Sequence, residues 1–227
     1  MIATYALTFV RAGLVAAGLA LGAAAPALAQ NSEGTYQVRF GAFGQFGNTT
    51  LNGETGALSG SGHTGGTGAG VTASFDVLRS GRWTYGVEID GGVTGAGQAN
   101  VVGARYGADY FASLRGRVGV YVRPDWVLYG TGGLGFRGVS ITDAVGKSET
   151  TLTGSVFGGG VEHHRGSAIL FAEYLHGHFG SRGLGVPVTT PVTQYRIGGD
   201  TNAFRLGVKF KLGYDGYHDD VRDGLRK

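Results

Sequence analysis

The chain has 227 residues, 46 of them glycine and four proline, with no cysteine. Glycine at this level without a Gly-X-Y period excludes collagen, and 42% apolar residues, with eleven Tyr and twelve Phe, exclude a disordered polymer. Charged residues reach only 15%, too few for a fully wetted surface, and the formal charge of +3 argues against a nucleic-acid partner, which would require Lys and Arg gathered on one face.

Residues 1–29 read as a signal peptide. Arg11 precedes an uncharged run from Ala12 to Ala29 that ends in Ala27-Leu28-Ala29, a small-x-small cleavage pattern, and Gln30-Asn31-Ser32 is polar, without a basic stop-transfer flank. No later apolar run reaches the roughly 18 residues of a membrane helix, so a chain that spans a bilayer does so as strands. An exported chain without Cys has no disulfide, and its stability must come from closure and packing.

Period-two alternation begins directly after the signal segment. Tyr36, Val38, Phe40 and Ala42 alternate with Gln37, Arg39 and Gly41; Val71, Ala73, Phe75 and Val77 with Thr72, Ser74 and Asp76; Trp83, Tyr85, Val87 and Ile89 with Thr84, Gly86, Glu88 and Asp90. Leu114, Gly116, Val118 and Val120 alternate with Ser113, Arg115, Arg117 and Gly119, and the last strand sets Phe204, Leu206, Val208, Phe210 and Leu212 against Arg205, Gly207, Lys209 and Lys211. Segments 126–139, 152–163 and 168–179 bring the total to eight strands, the glycine run Gly130 to Gly135 leaving the faces of its strand open. A helix would scramble these sets.

The connections alternate strictly between short and long. Tight polar turns at 79–82, 123–125 and 165–167 are interleaved with Gly-, Ser- and Thr-rich loops near 47–66, 92–109, 140–151 and 181–200. In an antiparallel series this places every tight turn at one end and every long loop at the other, with both termini at the tight-turn end. The expected fold is all-β, an eight-stranded antiparallel up-and-down transmembrane β-barrel over 30–212, followed by a short polar periplasmic tail, 213–227.

A soluble lipocalin-like barrel would turn the apolar set inward instead. The low charge, the strand lengths suited to a bilayer, and Trp83 and Trp126 placed directly after tight turns, where interfacial aromatics belong, favour the apolar set facing lipid.

Ser113-Leu114-Arg115-Gly116-Arg117-Val118-Gly119 and Trp126-Val127-Leu128-Tyr129-Gly130-Thr131-Gly132-Gly133-Leu134 resemble the "RGRxGY … YxxGG" core of small outer-membrane β-barrel proteins of the opacity-porin or outer-membrane immunogenic type. Gly158-Gly159-Gly160-Val161-Glu162 is similar to that family's "GxGxEY" segment, Glu173-Tyr174 to its "EY" pair, and Arg205-Leu206-Gly207-Val208-Lys209-Phe210 to its closing strand. The resemblance implies an eight-stranded barrel in the outer membrane of a Gram-negative bacterium, in a family where many members have no established molecular activity. Two positions depart from the pattern: Val120 stands where it has tyrosine, and Leu212, followed by a tail, where members usually end on an aromatic residue.

With the apolar set outside, Arg39, Asp76, Glu88, Arg115, Arg117, Glu162, Glu173, Arg205 and Lys209 converge inside a barrel just wide enough to be filled by side chains, and are expected to form a paired lattice, Arg115 with Glu162 or Glu173. A general acid/base pair such as Glu162 with Glu173 is the sharper but weaker reading. His163-His164 and His176-Gly177-His178 have no Cys or carboxylate at ligand spacing, so neither a metal nor another cofactor is expected. His178 with Ser181 is the one candidate for lipid chemistry and lies in no lipase-like motif, so no catalytic residue is assigned. The glycines fit no phosphate loop, because Gly130 to Gly135 has no helix after it. The expected function is therefore a non-enzymatic surface protein in a structural, adhesive or interaction role, with outer-membrane lipid around it and surface partners met through its loops. A narrow porin-like channel and a lipid-modifying enzyme are the alternatives. The mature chain should begin at Gln30 and remain with outer membranes through alkaline washing, checked by N-terminal sequencing and fractionation; recovery in the soluble periplasm would restore the lipocalin-like reading.

Overall fold

The computed structural model describes residues 36–55, 58–79, 82–96, 99–101, 104–142, 147–185 and 194–212; the signal segment and the tail 213–227 lie outside the described residues. The described strands are β1 (Tyr36–Thr55), β2 (Leu58–Arg79), β3 (Trp83–Ala96), β4 (Ala99–Val101), β5 (Ala104–Arg123), β6 (Trp126–Thr142), β7 (Lys147–Arg165), β8 (Ala168–Gly185) and β9 (Gln194–Leu212). Eight long strands pair in sequence order, each antiparallel to the next, and β1 pairs with both β2 and β9. The sheet is a closed ring, in which each long strand has a paired neighbour on both sides. The three-residue β4 pairs with the start of β5 beside the ring.

Alternation sorts the side chains as the hydropathy pattern requires. Val71 is 59% exposed and Leu206 53%, and they share the outer face with Val87, Leu114, Leu128, Phe157, Leu170 and Phe210, while Gln37, Arg39, Thr72, Ser74, Asp76, Arg115 and Arg117 are buried inside. In β6 the pleat turns Val127, Tyr129, Arg137 and Val139 inward and Leu128 and Leu134 outward. Trp83 and Trp126 open β3 and β6 on the outer face, 46% and 37% exposed.

The strands run well beyond the segments that alternation marks. β1 and β2 hold one register from Tyr36↔Val77 to Thr55↔Leu58, and β1 stays paired with β9 as far as Thr55↔Tyr195, so nearly all of 47–66 is a sheet-paired ribbon and not a loop. Strand structure likewise extends into 92–109, 140–151 and 181–200. These segments carry no apolar alternation because neither face needs to meet lipid, and the hydrogen-bonded ladder continues without it. Since about 9–11 tilted residues cross a bilayer, strands of 20 and 22 residues project far past one.

Two kinds of glycine shape the ring. Gly166, at φ 59°, makes the two-residue turn between Arg165 and Ala168, where a left-handed residue matches the strand twist. Inside, glycine supplies space: a Cβ on Gly160 would lie 2.7 Å from the Tyr129 hydroxyl, and one on Gly207 would lie 2.6 Å from the Phe171 ring. Large interior side chains thus stand opposite positions that have none.

The outer face predicts a depth-dependent penalty. Val118→Arg should cost about 2–4 kcal/mol in the unfolding free energy of the lipid-embedded barrel. Ser61→Arg, on the exposed ribbon, should stay within about 0.5 kcal/mol of wild type. Equal penalties from denaturant titration would show that the apolar belt is misplaced.

Candidate functional site

The polar interior faces of seven of the eight long strands converge on one cluster. Arg39 on β1 reaches Asp76 at 2.7 Å and Glu162 at 3.0 Å. Arg117 on β5 reaches Glu162 at 2.9 Å, Glu88 at 3.3 Å and Asp76 at 3.5 Å. Lys209 on β9 bridges Glu88 and Glu162. Toward the long-hairpin end, Arg115 binds Glu88 and Asp90, each at 2.7 Å, and Glu173 at 2.9 Å, while Arg205 lies 3.2 Å from Asp90 and 3.6 Å from Glu173. Five cations face five carboxylates, and Glu88 joins the two tiers.

Strand register builds much of this directly. Glu88 stands opposite Arg115 across β3 and β5, and Glu173 opposite Arg205 across β8 and β9. Hydroxyls take up remaining carboxylate valence: Ser113 donates to Asp90 at 2.6 Å and Tyr129 to Glu173 at 3.2 Å. Aromatic faces meet the cations, with Arg117 4.3 Å from the Tyr129 ring centre, Lys209 4.7 Å from Phe171, and Arg205 4.5 Å from Phe43. Phe43, Phe111 and Phe171 pack together, with centroids 6.0 and 6.3 Å from Phe43, as an apolar layer beside the lattice.

All nine interior charges named from the sequence lie in this cluster. Arg115 is tied to Glu173 but not to Glu162, which is held by Arg39, Arg117 and Lys209 instead. The register explains the difference, because Arg115 and Glu173 share the tier nearer the long hairpins. Glu162 and Glu173 thus lie in different tiers, the first held by Arg39, Arg117 and Lys209 and the second by Arg115 and Arg205, and share no cation. The fifth carboxylate, Asp90, has a sequence signal, since it lies two residues beyond Glu88 on the same polar face. Tyr129 and Arg137 had none, because the surrounding glycines carry no hydropathy.

The histidines divide between the faces. His164 points inward, 3.5 Å from Glu162, whereas His163 points outward, stacked on Trp126 at 4.7 Å, so these neighbours cannot share a ligand. His176 and His178 share the outer face of β8, where His176 meets Asn202 at 2.8 Å and His178 meets Asp200 at 2.6 Å. Ser181 lies where the β8–β9 register shifts, between Phe179 and Arg182. Among the described residues no three His, Asp or Glu side chains are grouped as metal ligands.

Comparison with known proteins agrees with this architecture. The outer membrane protein beta-barrel domain model matches residues 15–212. A 22 kDa outer membrane protein of Rhizobium leguminosarum bv. viciae is 31% identical over 152 residues, covering 66% of this chain and 68% of that protein. Among solved structures, the outer membrane protein OprG from Pseudomonas aeruginosa superposes with a TM-score of 0.53 at 12% identity, over 82% of this chain and 99% of that one. The attachment invasion locus protein Ail of Yersinia pestis aligns more loosely, with a TM-score of 0.42 at 10% identity, over 76% and 98%. A closed eight-stranded ring with an apolar outer belt, matched along most of its length by that family model, makes this chain an outer-membrane protein of the β-barrel domain family.

Proposed function

We propose that the protein is a closed, non-catalytic membrane anchor whose work is done by the hairpins it holds above the outer leaflet. The single observation that carries this reading is the lattice of five cations and five carboxylates, each buried and each within reach of an opposite charge. A conducting lumen needs charges that face water and exchange partners with passing ions. Charges locked to one another across the lumen fill it instead.

In this reading the tight turns lie on the periplasmic side, Trp83 and Trp126 sit at that membrane interface, and the long ribbons point outward. The β1–β2 ribbon presents Asn52, Ser61, His63 and Thr67 on exposed positions of a paired backbone, which gives a partner a surface with little ordering cost on binding. Such a surface suits a structural, adhesive or interaction role at the cell exterior.

Purified protein in planar bilayers should show little or no stable conductance. Arg115→Ala should lower the unfolding free energy by about 3–5 kcal/mol, because it leaves Glu88, Asp90 and Glu173 short of one cation. Large, steady, ion-selective currents from the wild type, altered by Arg115→Ala without a change in unfolding midpoint, would assign a narrow channel instead.

A further inference from the structure

Arg137 lies inside the barrel but outside the lattice of ion pairs. It is 6% exposed, its Nη1 donates to the Thr201 hydroxyl at 2.8 Å, and its Nε has no acceptor. Among the described residues no carboxylate forms an ion pair with it, and the five lattice carboxylates are already matched by five cations. A buried guanidinium left this way is costly, since the desolvation of a charge is offset only by an opposite charge and hydrogen bonds.

Arg137 also lines a cavity of about 40 Å³ on the long-hairpin side of the lattice. Space for one water takes about 10–15 Å³ on this measure, so the cavity has room for roughly three, the bulk of a two- or three-carbon acid. Its walls are unlike the lattice: Phe111, Val156, Leu175 and Phe179 give apolar surface, while Arg137 and Thr201 supply donors on one side. Arg205, paired with Asp90 in the lattice, forms the wall on that side.

We propose that this chamber binds a short-chain carboxylate, with its oxygens on the Arg137 guanidinium and its alkyl end against Phe111 and Phe179. The planar guanidinium fork matches two carboxylate oxygens, which a spherical halide does not exploit, and the apolar walls favour an alkyl group over a hydrated inorganic ion. The ligand would supply Arg137 with the carboxylate that no described residue provides. It is independent of whether the barrel conducts, since occupancy is read by binding and not by current.

The test is calorimetric titration of sodium propionate into the full-length protein, refolded in detergent and chloride-free buffer, with the unfolding midpoint followed in parallel. Saturable binding near one equivalent and a rising midpoint are expected, with Arg137→Gln weakening binding about tenfold or more, as loss of a charge-assisted hydrogen bond would. Thr201→Val, which keeps the charge and removes one partner, should bind propionate with an intermediate affinity. Absence of saturable heat with wild type, equal affinity in Arg137→Gln, or chloride binding that propionate fails to displace would each overturn the proposal; the wild-type titration decides it even where a variant does not fold.

Discussion

Ten charged side chains form one ion-pair lattice in the lumen of a ring that eight strands make only wide enough for side chains, and much of the structure follows from the requirement that the charges of the lattice cancel. A lone buried charge costs several kcal/mol, so each cation and carboxylate of the lattice depends on its neighbours of opposite sign. Cancellation in turn demands register. Glu88 faces Arg115 and Glu173 faces Arg205 only in the observed pairing, and a shift of one residue would turn every interior charge toward lipid. The lattice therefore specifies the barrel as much as it fills it. Interior glycines belong to the same requirement, since Gly160 and Gly207 leave the room that Tyr129 and Phe171 occupy beside the charges.

Closure and neutrality together divide the molecule into zones of different chemistry. The outer belt is apolar and meets lipid, the lattice fills the polar interior, and Phe43, Phe111 and Phe171 pack beside it, with Phe111, Ser113 and Arg205 also lining a chamber toward the long hairpins. Beyond the belt, the paired ribbons continue on hydrogen bonding alone. Because β1 and β2 stay in register to Thr55↔Leu58, the exposed Asn52 and Ser61 stand on a paired backbone.

Much of this is legible in the sequence because a one-sided environment imprints a period of two. Alternation places Arg115 and Arg117 inside and Leu114 and Val118 outside, and the alternation of short and long connections gives the closed antiparallel order. Legibility ends where the environment stops being one-sided. The Gly-, Ser- and Thr-rich segment 47–66 reads as a loop because its few apolar side chains, the buried Leu51 among them, set up no alternation, and β6 hides Tyr129 and Arg137 because glycine on either face leaves no contrast. Which cation meets which carboxylate depends on reach across the lumen between strands far apart in sequence: Arg39 meets Glu162 across 123 positions, and no local pattern records it. Residues 1–29, expected to form a signal segment, and residues 213–227, expected to form a tail, lie outside the described residues.

The measurement that bears most directly on interior neutrality is the unfolding free energy of Arg115→Met, Glu173→Met and the double variant, in one detergent and by one denaturant series. Each single change leaves an unmatched buried charge, whereas the double change removes one charge of each sign. The account predicts that the double variant is more stable than either single variant, because replacing a buried pair with apolar side chains is far less costly than breaking it. A double variant destabilised by the sum of the two single effects would contradict it, and would mean that the charges act independently in a solvated lumen.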